Sequence, residues 1–334
     1  MSKNRAAWII TPGKVFSISA APTYKPKAGE VLIKTAAVAM NPIDWKKPDA
    51  STYSNLYPFI LGRNTAGTVE DVGRGATRFY RGQRVMPKTG YYANSAFQLY
   101  SLASERFIAV IPDSISFEKA AVLPLSISTA AAGLYLPENL NLPLPSTTSR
   151  ASPKALLIWG GASSVGSTTI QLAAASGLKV VITASSANHE YVRSLGASAV
   201  LDYRSPSLIV DLLSELKGGD FVGIYDAIGE EQSFAPLKEI VRQLHGPANI
   251  LSTLPCDSQT DEFRPSFGTS DPLLRIHDKI GEAVWGFFVP KGLVNGQLKP
   301  KPDPLVVGHG LEMNQTGVDR QKEGVSAKRI VVTI

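Results

Sequence analysis

Cysteine is the scarcest feature of this chain: Cys256 stands alone among 334 residues. No disulfide can close within the chain, which suits a reducing compartment. Histidine is nearly as rare, at four. One thiol and four imidazoles cannot build a Cys-rich structural zinc site, so no metal is expected. Long apolar runs are missing too. One stretch without a charged residue, 120–137, contains Pro124, Ser126, Ser128 and Thr129. It predicts a buried helix rather than a membrane span. Residues 1–7 are polar and basic with no apolar stretch behind them, so no signal peptide is expected, and the cytoplasm is the expected location. Charge of one sign is not concentrated anywhere. The 34 basic and 28 acidic residues give a net charge of +6, but the basic ones are scattered in groups no longer than Lys46-Lys47 or Lys328-Arg329. A nucleic-acid-binding stripe would need clustering.

What is present is an ordinary globular composition, 44% hydrophobic and 19% charged, enough to bury a core in about two domains. The first third is rich in short apolar or alternating runs, such as 31–38 and 68–72. Glycine and proline punctuate them at Gly29, Gly73, Gly75, Gly82 and Gly90. That spacing predicts a β-barrel or sandwich. The pattern changes near Ser116, where 117–136 predicts a helix with Ser116 or Asp113 as its cap. Residues 142–153, rich in Pro, Ser and Thr, predict a surface loop. From Lys154 the chain alternates strand with helix: strands at 155–159, 179–183, 199–202, 221–226 and 248–251, and helices at 165–175 and 190–195, closed by Gly177 and Gly196. This predicts a doubly wound parallel sheet. The last run, 328–334, predicts a final strand.

One turn carries chemistry. Gly160-Gly-Ala-Ser-Ser-Val-Gly166 follows a strand and opens a helix, the context of a dinucleotide fingerprint. A helix N-terminus offers free N–H groups and a positive dipole end to a pyrophosphate. Gly161 and Gly166 take the outer glycine positions and Ser163 the middle one. Ser163, Ser164 and Val165 complete the expected cradle. The following strand ends Thr183-Ala-Ser-Ser186, and no acid comes before Glu190. NAD-binding folds place a carboxylate there for the ribose diol. Its lack leaves room for a 2′-phosphate, with Ser185, Ser186 and Tyr203 as contacts and Arg204 beside them. NADPH is the expected cofactor.

These motifs resemble the medium-chain dehydrogenase/reductase superfamily, in its zinc-free quinone and enoyl reductase branch. The likeness is carried by Gly29-Glu-Val-Leu-Ile-Lys34, by Ala39-Met-Asn-Pro-Ile-Asp-Trp-Lys46 and by Leu61-Gly-Arg-Asn-Thr-Ala-Gly-Thr-Val-Glu-Asp-Val-Gly73. It continues through Gly82-Gln-Arg-Val85, residues 120–130, the cofactor turn and Leu195-Gly-Ala-Ser-Ala-Val-Leu-Asp-Tyr203. Residues 142–145, the Trp159-Gly-Gly turn and the closing 324–332 resemble fungal enoyl reductases that act in trans with polyketide synthases. The resemblance implies an α/β fold in which a Rossmann doubly wound parallel sheet is inserted in a GroES-like β-rich domain. The implied boundaries are 1–125 for the first part of the catalytic domain, 126–270 for the dinucleotide-binding domain and 271–334 for the return, with the active site in the cleft between the domains. Two departures stand out. Arg63-Asn64 replace the Cys or His and acid that relatives often carry, and Ala187 stands where fungal relatives commonly have Lys.

The resemblance further implies reduction of an activated C=C bond, in an enoyl thioester or an enone. The hydride comes from the nicotinamide, and charge builds on the carbonyl oxygen as an enolate. Lys46 is the implied donor to that oxygen or a phosphopantetheine contact, and Thr129 a contact near the nicotinamide. Asn41 and Asp44 shape the first block, while Trp285, Phe287 and Phe288 are candidates for an apolar substrate pocket. His277 and His309 are expected to be structural. The expected partners are a small or carrier-bound substrate and a polyketide synthase, with no nucleic acid and no membrane; monomer and dimer both remain open. A stand-alone quinone or enone reductase, a non-redox isomerase or cyclase on the same fold, and a silent partner of a synthase are the alternatives.

Overall fold

The computed structural model describes residues 3–11, 13, 15–46, 57–90, 92–217, 219–244, 248–270 and 278–334. The chain forms two compact units: Met1–Leu125 with Pro300–Ile334, and Ser126–Lys299. The short apolar runs of the first third become strands β1 (Arg5–Ile9), β2 (Ser17–Ala20), β3 (Glu30–Ala39), β4 (Phe59–Ile60), β5 (Thr65–Val72), β6 (Arg84–Pro87), β7 (Tyr100–Ser104) and β8 (Ile108–Val110). β3 is the hub. It pairs antiparallel with β5 and with β7, and register shifts after Leu32 and Thr35 let its ten residues bend around the core. The short helix α1 (Pro42–Lys46) follows it directly.

The end of the chain returns to this unit. β15 (Asp303–His309) and β16 (Lys328–Thr333) are parallel to each other, flank α10 (Asn314–Glu323), and β16 lies antiparallel on β3. The sheet order is β15-β16-β3-β5-β6-β8, beside a three-stranded sheet β2-β1-β4. The predicted helix over 117–136 is two helices, α2 (Phe117–Ala121) and α3 (Pro124–Tyr135). Pro124 breaks it by lacking the N–H that a continuous helix needs. Ser116 caps α2, its Oγ accepting the Lys119 N–H at 3.4 Å.

In the second unit the strands are β9 (Lys154–Trp159), β10 (Lys179–Thr183), β11 (Ala199–Leu201), β12 (Asp220–Asp226), β13 (Ile250–Ser252) and β14 (Ser266–Phe267). Between them run α4 (Ser164–Ala175), α5 (His189–Arg193), α6 (Leu208–Leu216) and α7 (Glu231–Gln243). Every pairing is parallel and the order is β11-β10-β9-β12-β13-β14. Counted from β9 that is 3-2-1-4-5-6, the order of dinucleotide-binding sheets, reversing between β9 and β12. Leu157, Trp159, Val181, Ile224, Phe234, Leu237 and Ile240 form one face of its core.

The loop 142–153 lies mostly exposed, as expected, and is fastened at three points: Leu142 N–H bonds to Leu134, Ser146 N–H to Ala175 and Ser152 N–H to Gly177. One expectation needs correcting. The return to the first unit begins at Pro300, not at 271. Residues 278–299 stay with the second unit as α8 (Asp278–Gly281), a π-helical stretch Glu282–Phe288 and α9 (Val289–Asn295). The side chain of Gln171 clasps the exit from both sides, accepting the Lys299 N–H at 2.6 Å and donating to its carbonyl at 3.2 Å.

Gly133 sits in mid-α3, where alanine would ordinarily add helix stability. Here a Cβ would lie 2.3 Å from Cε2 of Tyr225, a fully buried ring whose hydroxyl is tied to the Thr129 carbonyl at 3.0 Å. Gly133→Ala is expected to destabilise the fold by about 1–3 kcal/mol, read from the denaturant midpoint.

Candidate active site

The site is built outward from the end of β9. Six apolar-leaning residues make a buried parallel strand, and the chain then turns within four residues into α4. Ser163 is the N-cap: its Oγ accepts the Gly166 N–H at 3.0 Å, and its own N–H donates to the Gly160 carbonyl at 3.0 Å. The turn is fastened to the next strand, Gly161 N–H donating to the Thr183 carbonyl at 2.9 Å and Gly160 N–H to Thr183 Oγ1 at 3.1 Å. A Cβ on Gly166 would stand 2.2 Å from the Gly160 carbonyl oxygen, so only glycine lets the helix come this close. The first-turn amides of Ser164 and Val165 have no acceptor within the helix. The Ser164 hydroxyl is buried without a hydrogen-bond partner. An anion with several acceptor oxygens satisfies such a set. The turn also lies where the strand order reverses, the crevice in which doubly wound sheets bind ligands.

Beyond β10 the arrangement differs from the sequence reading. No acid follows β10 directly, yet folding brings one there from the next strand. Asp202, just past β11, accepts the Ser186 N–H on Oδ2 at 3.0 Å. Its Oδ1 accepts the Arg204 backbone N–H at 2.9 Å and the Arg204 Nε–H at 3.2 Å. These bonds, the Arg204 backbone N–H first among them, hold the Asp202 carboxyl down at about 2. The Arg204 guanidinium lies 5.2 Å from the centroid of the half-exposed Tyr203 ring. Ser185 Oγ is already engaged, accepting from Asn188 Nδ2 at 2.9 Å.

On the other side of the switch point, β12 ends in Asp226, a carboxylate that sequence reading passed over. It accepts from the Ile228 N–H at 2.9 Å, the Gly229 N–H at 3.1 Å and the Ser233 hydroxyl at 2.6 Å. Ile228 in turn packs on the β9–α4 turn, since a Cβ on Gly160 would meet its Cγ1 at 2.5 Å. Burial pushes the Asp226 carboxyl up against these hydrogen bonds. Thr129 is half-buried on α3, its carbonyl held by Tyr225. The aromatic trio separates. Trp285 and Phe288 are core, the Trp285 indole donating to Ser128 Oγ at 3.2 Å, whereas Phe287 is 56% exposed. The packing of this π-helical turn therefore does not make the three one pocket wall.

In the first unit, Asn41 is the N-cap of α1. Asp44, at its third position, reaches back to the Asn41 N–H at 2.8 Å, and Pro42 fills the first. Arg329 of β16, almost fully buried, donates to Asn41 Oδ1. Burial raises the Asp44 carboxyl, opposed by the bonds from Asn41 and by Arg329 and Arg63, and it lowers Arg329 to about 10. α1 ends in Lys46, half-buried, its Nζ 5.3 Å from the Trp45 ring centroid. Asn64 spends both ends of its amide on backbone, donating to Ala121 at 2.9 Å and accepting from Leu125 at 2.8 Å. Among the described residues no group of three or more His, Cys, Asp or Glu is placed to hold a metal, and no helix is long and apolar enough to cross a membrane. His309 bonds Thr333 Oγ1 at 3.0 Å, and His277 lies outside the described residues.

Asp226 gives a pH test. A carboxyl raised in the native state binds its proton more tightly when folded. Its contribution is full below the unfolded pKa and is lost as pH rises through the native one. From about pH 4 upward, the stability of the wild type relative to Asp226→Asn is expected to fall. Chemical denaturation across that range measures it, and a constant difference would refute it.

Two domain families match in order along the chain. The alcohol dehydrogenase GroES-like domain covers residues 27–113 and the zinc-binding dehydrogenase domain residues 164–250. The trans-enoyl reductase himH of Aspergillus japonicus is 44% identical over 311 residues, spanning 91% of this chain and 90% of its own. Dehydrogenase pigH of Monascus ruber is 39% identical over the whole of both chains. Among solved structures, an alcohol dehydrogenase superfamily protein from Novosphingobium aromaticivorans superposes with a TM-score of 0.78 at 23% identity, and CurK enoyl reductase with 0.75 at 18%, each over 99% of both chains. With a GroES-like β-rich unit, a Rossmann sheet in 3-2-1-4-5-6 order and these relatives, the chain belongs to the medium-chain dehydrogenase/reductase superfamily of nicotinamide-dependent oxidoreductases.

Proposed function

We propose that this chain is a zinc-independent, NADPH-dependent enoyl reductase of polyketide biosynthesis, acting in trans on a carrier-bound enoyl thioester in the cytoplasm. The observation that carries the redox part is the turn at the end of β9. A buried Ser164 hydroxyl without a partner, two first-turn amides without helical acceptors and a glycine with no room for a Cβ fit a pyrophosphate. The substrate class is supported by the relatives' names: himH, and tndF of Aspergillus flavipes at 32% identity over 99% of this chain, are both trans-enoyl reductases. Although one matching domain family is named for zinc, the residues here do not fit that ion. Arg63 offers no lone pair, and the Asn64 amide is spent at both ends on backbone.

The bound dinucleotide supplies the hydride. The chain's residues supply the rest. The β9–α4 turn, with Ser163, Ser164 and Val165, holds the pyrophosphate, and Ser185, Ser186 and Tyr203 take the adenosine end. The Asp226-fastened loop carrying Ile228 backs the turn, and Thr129 would contact the nicotinamide when it is bound. In the first unit, Asn41 and Asp44 order α1 so that Lys46, at its end, donates to the oxygen where enolate charge collects. A donor there acts only as charge develops, so it lowers the barrier rather than tightening the ground state.

NADPH consumption is expected with an enoyl thioester on a carrier or its pantetheine mimic. Activity confined to free enones or quinones would instead assign a stand-alone reductase, and none with any acceptor despite binding would assign a non-redox role. Lys46→Ala should lower kcat by about 10²-fold with dinucleotide affinity unchanged; undiminished turnover would remove Lys46 from that role. Gly166→Ala should weaken NADPH binding about tenfold or more by calorimetry, as the displaced Gly160 carbonyl opens the cradle.

A further inference from the structure

The geometry points to Asp202 and Arg204 as the pair that sets cofactor choice: Asp202 is a ribose-diol acceptor of the NAD type, silenced by Arg204, which turns the same spot toward a 2′-phosphate. The inference rests on the dinucleotide reading above and deepens it.

Three observations carry it. First, NAD-specific sheets present a carboxylate at the end of the second strand. Here that position is supplied by the third strand, because the Asp202 carboxylate docks on the Ser186 amide three residues past β10. Second, the carboxylate is not free to accept a ribose hydroxyl. The Arg204 backbone N–H and Nε take Oδ1, and Arg204 Nη2 reaches Oδ2 at 3.4 Å. Third, the guanidinium is laid against the Tyr203 ring and remains exposed, as does about half of that ring. A planar cation with donors to spare, stacked on an aromatic face, recognises a phosphate dianion. The Asp202 charge is balanced within the pair, so it does not repel that dianion as a bare carboxylate would. The pair also accounts for specificity without a Lys or Arg directly after Ser185-Ser186.

The test uses full-length protein and two probes that differ only in the 2′-phosphate, adenosine 2′,5′-bisphosphate and 5′-AMP, with Kd measured by calorimetry. The wild type should prefer the bisphosphate. Arg204→Gln should weaken the bisphosphate by about 10–100-fold, the scale of a lost charge-assisted contact, while 5′-AMP binds as well or better. Asp202→Asn should keep the preference, and the double substitution should bind both probes weakly. Arg204→Lys, which keeps charge but not the fork, should fall between wild type and Arg204→Gln. Both side chains lie at the surface, so the variants should fold, checked by circular dichroism. If wild type prefers the bisphosphate and Arg204→Gln keeps the same ratio, the pair is overturned while NADPH use stands. If Asp202→Asn loses the preference as fully as Arg204→Gln, Asp202 orders the turn rather than masking a diol site, and the inference fails. If wild type shows no preference, both the cofactor reading and the pair fall.

Discussion

The β9–α4 turn exists because two pieces of backbone come closer than any side chain allows. The start of α4 presses on the Gly160 carbonyl with no Cβ at Gly166 between them. That contact fixes where the helix begins, and with it the direction of its unsatisfied amides. The rest of the second unit supports it: Thr183 of β10 ties down both glycine amides, and Ile228, positioned by Asp226, fills the space behind Gly160. A buried carboxylate is costly unless satisfied, and Asp226 meets that cost with three donors that also order a loop.

Much of this was legible in the sequence. The parallel strands read as short apolar runs, and the fingerprint turn read from its glycines, because both signals are local. The aromatic cluster after residue 275 could not say which ring faces which way, because proximity along a chain says little about facing. In the π-helical stretch Trp285 and Phe288 turn inward while Phe287 turns out.

What could not be read were the contacts made by pairing. Asp202 is sixteen residues from Ser186, and only the β10–β11 register brings its carboxylate to that amide. Asp226 stands at the end of a predicted strand, and an acid followed by Ala-Ile-Gly and then Ser233 was a usable hint of a tied loop. Arg329 and Asn41 are 288 residues apart, and nothing local links them.

That last pair has a consequence for biogenesis. The sheet unit from 126 to 299 is one unbroken stretch of chain, and everything it needs has been synthesised by Lys299. Its host is different: β3 lacks the partner β16, and the cap of α1 lacks Arg329, until the final residues emerge. Because domains tend to fold as units during synthesis, the inserted unit can mature on the ribosome while its host waits open. The helix bearing Lys46 is thereby secured last, so an incomplete chain has a finished parallel sheet but an unset α1.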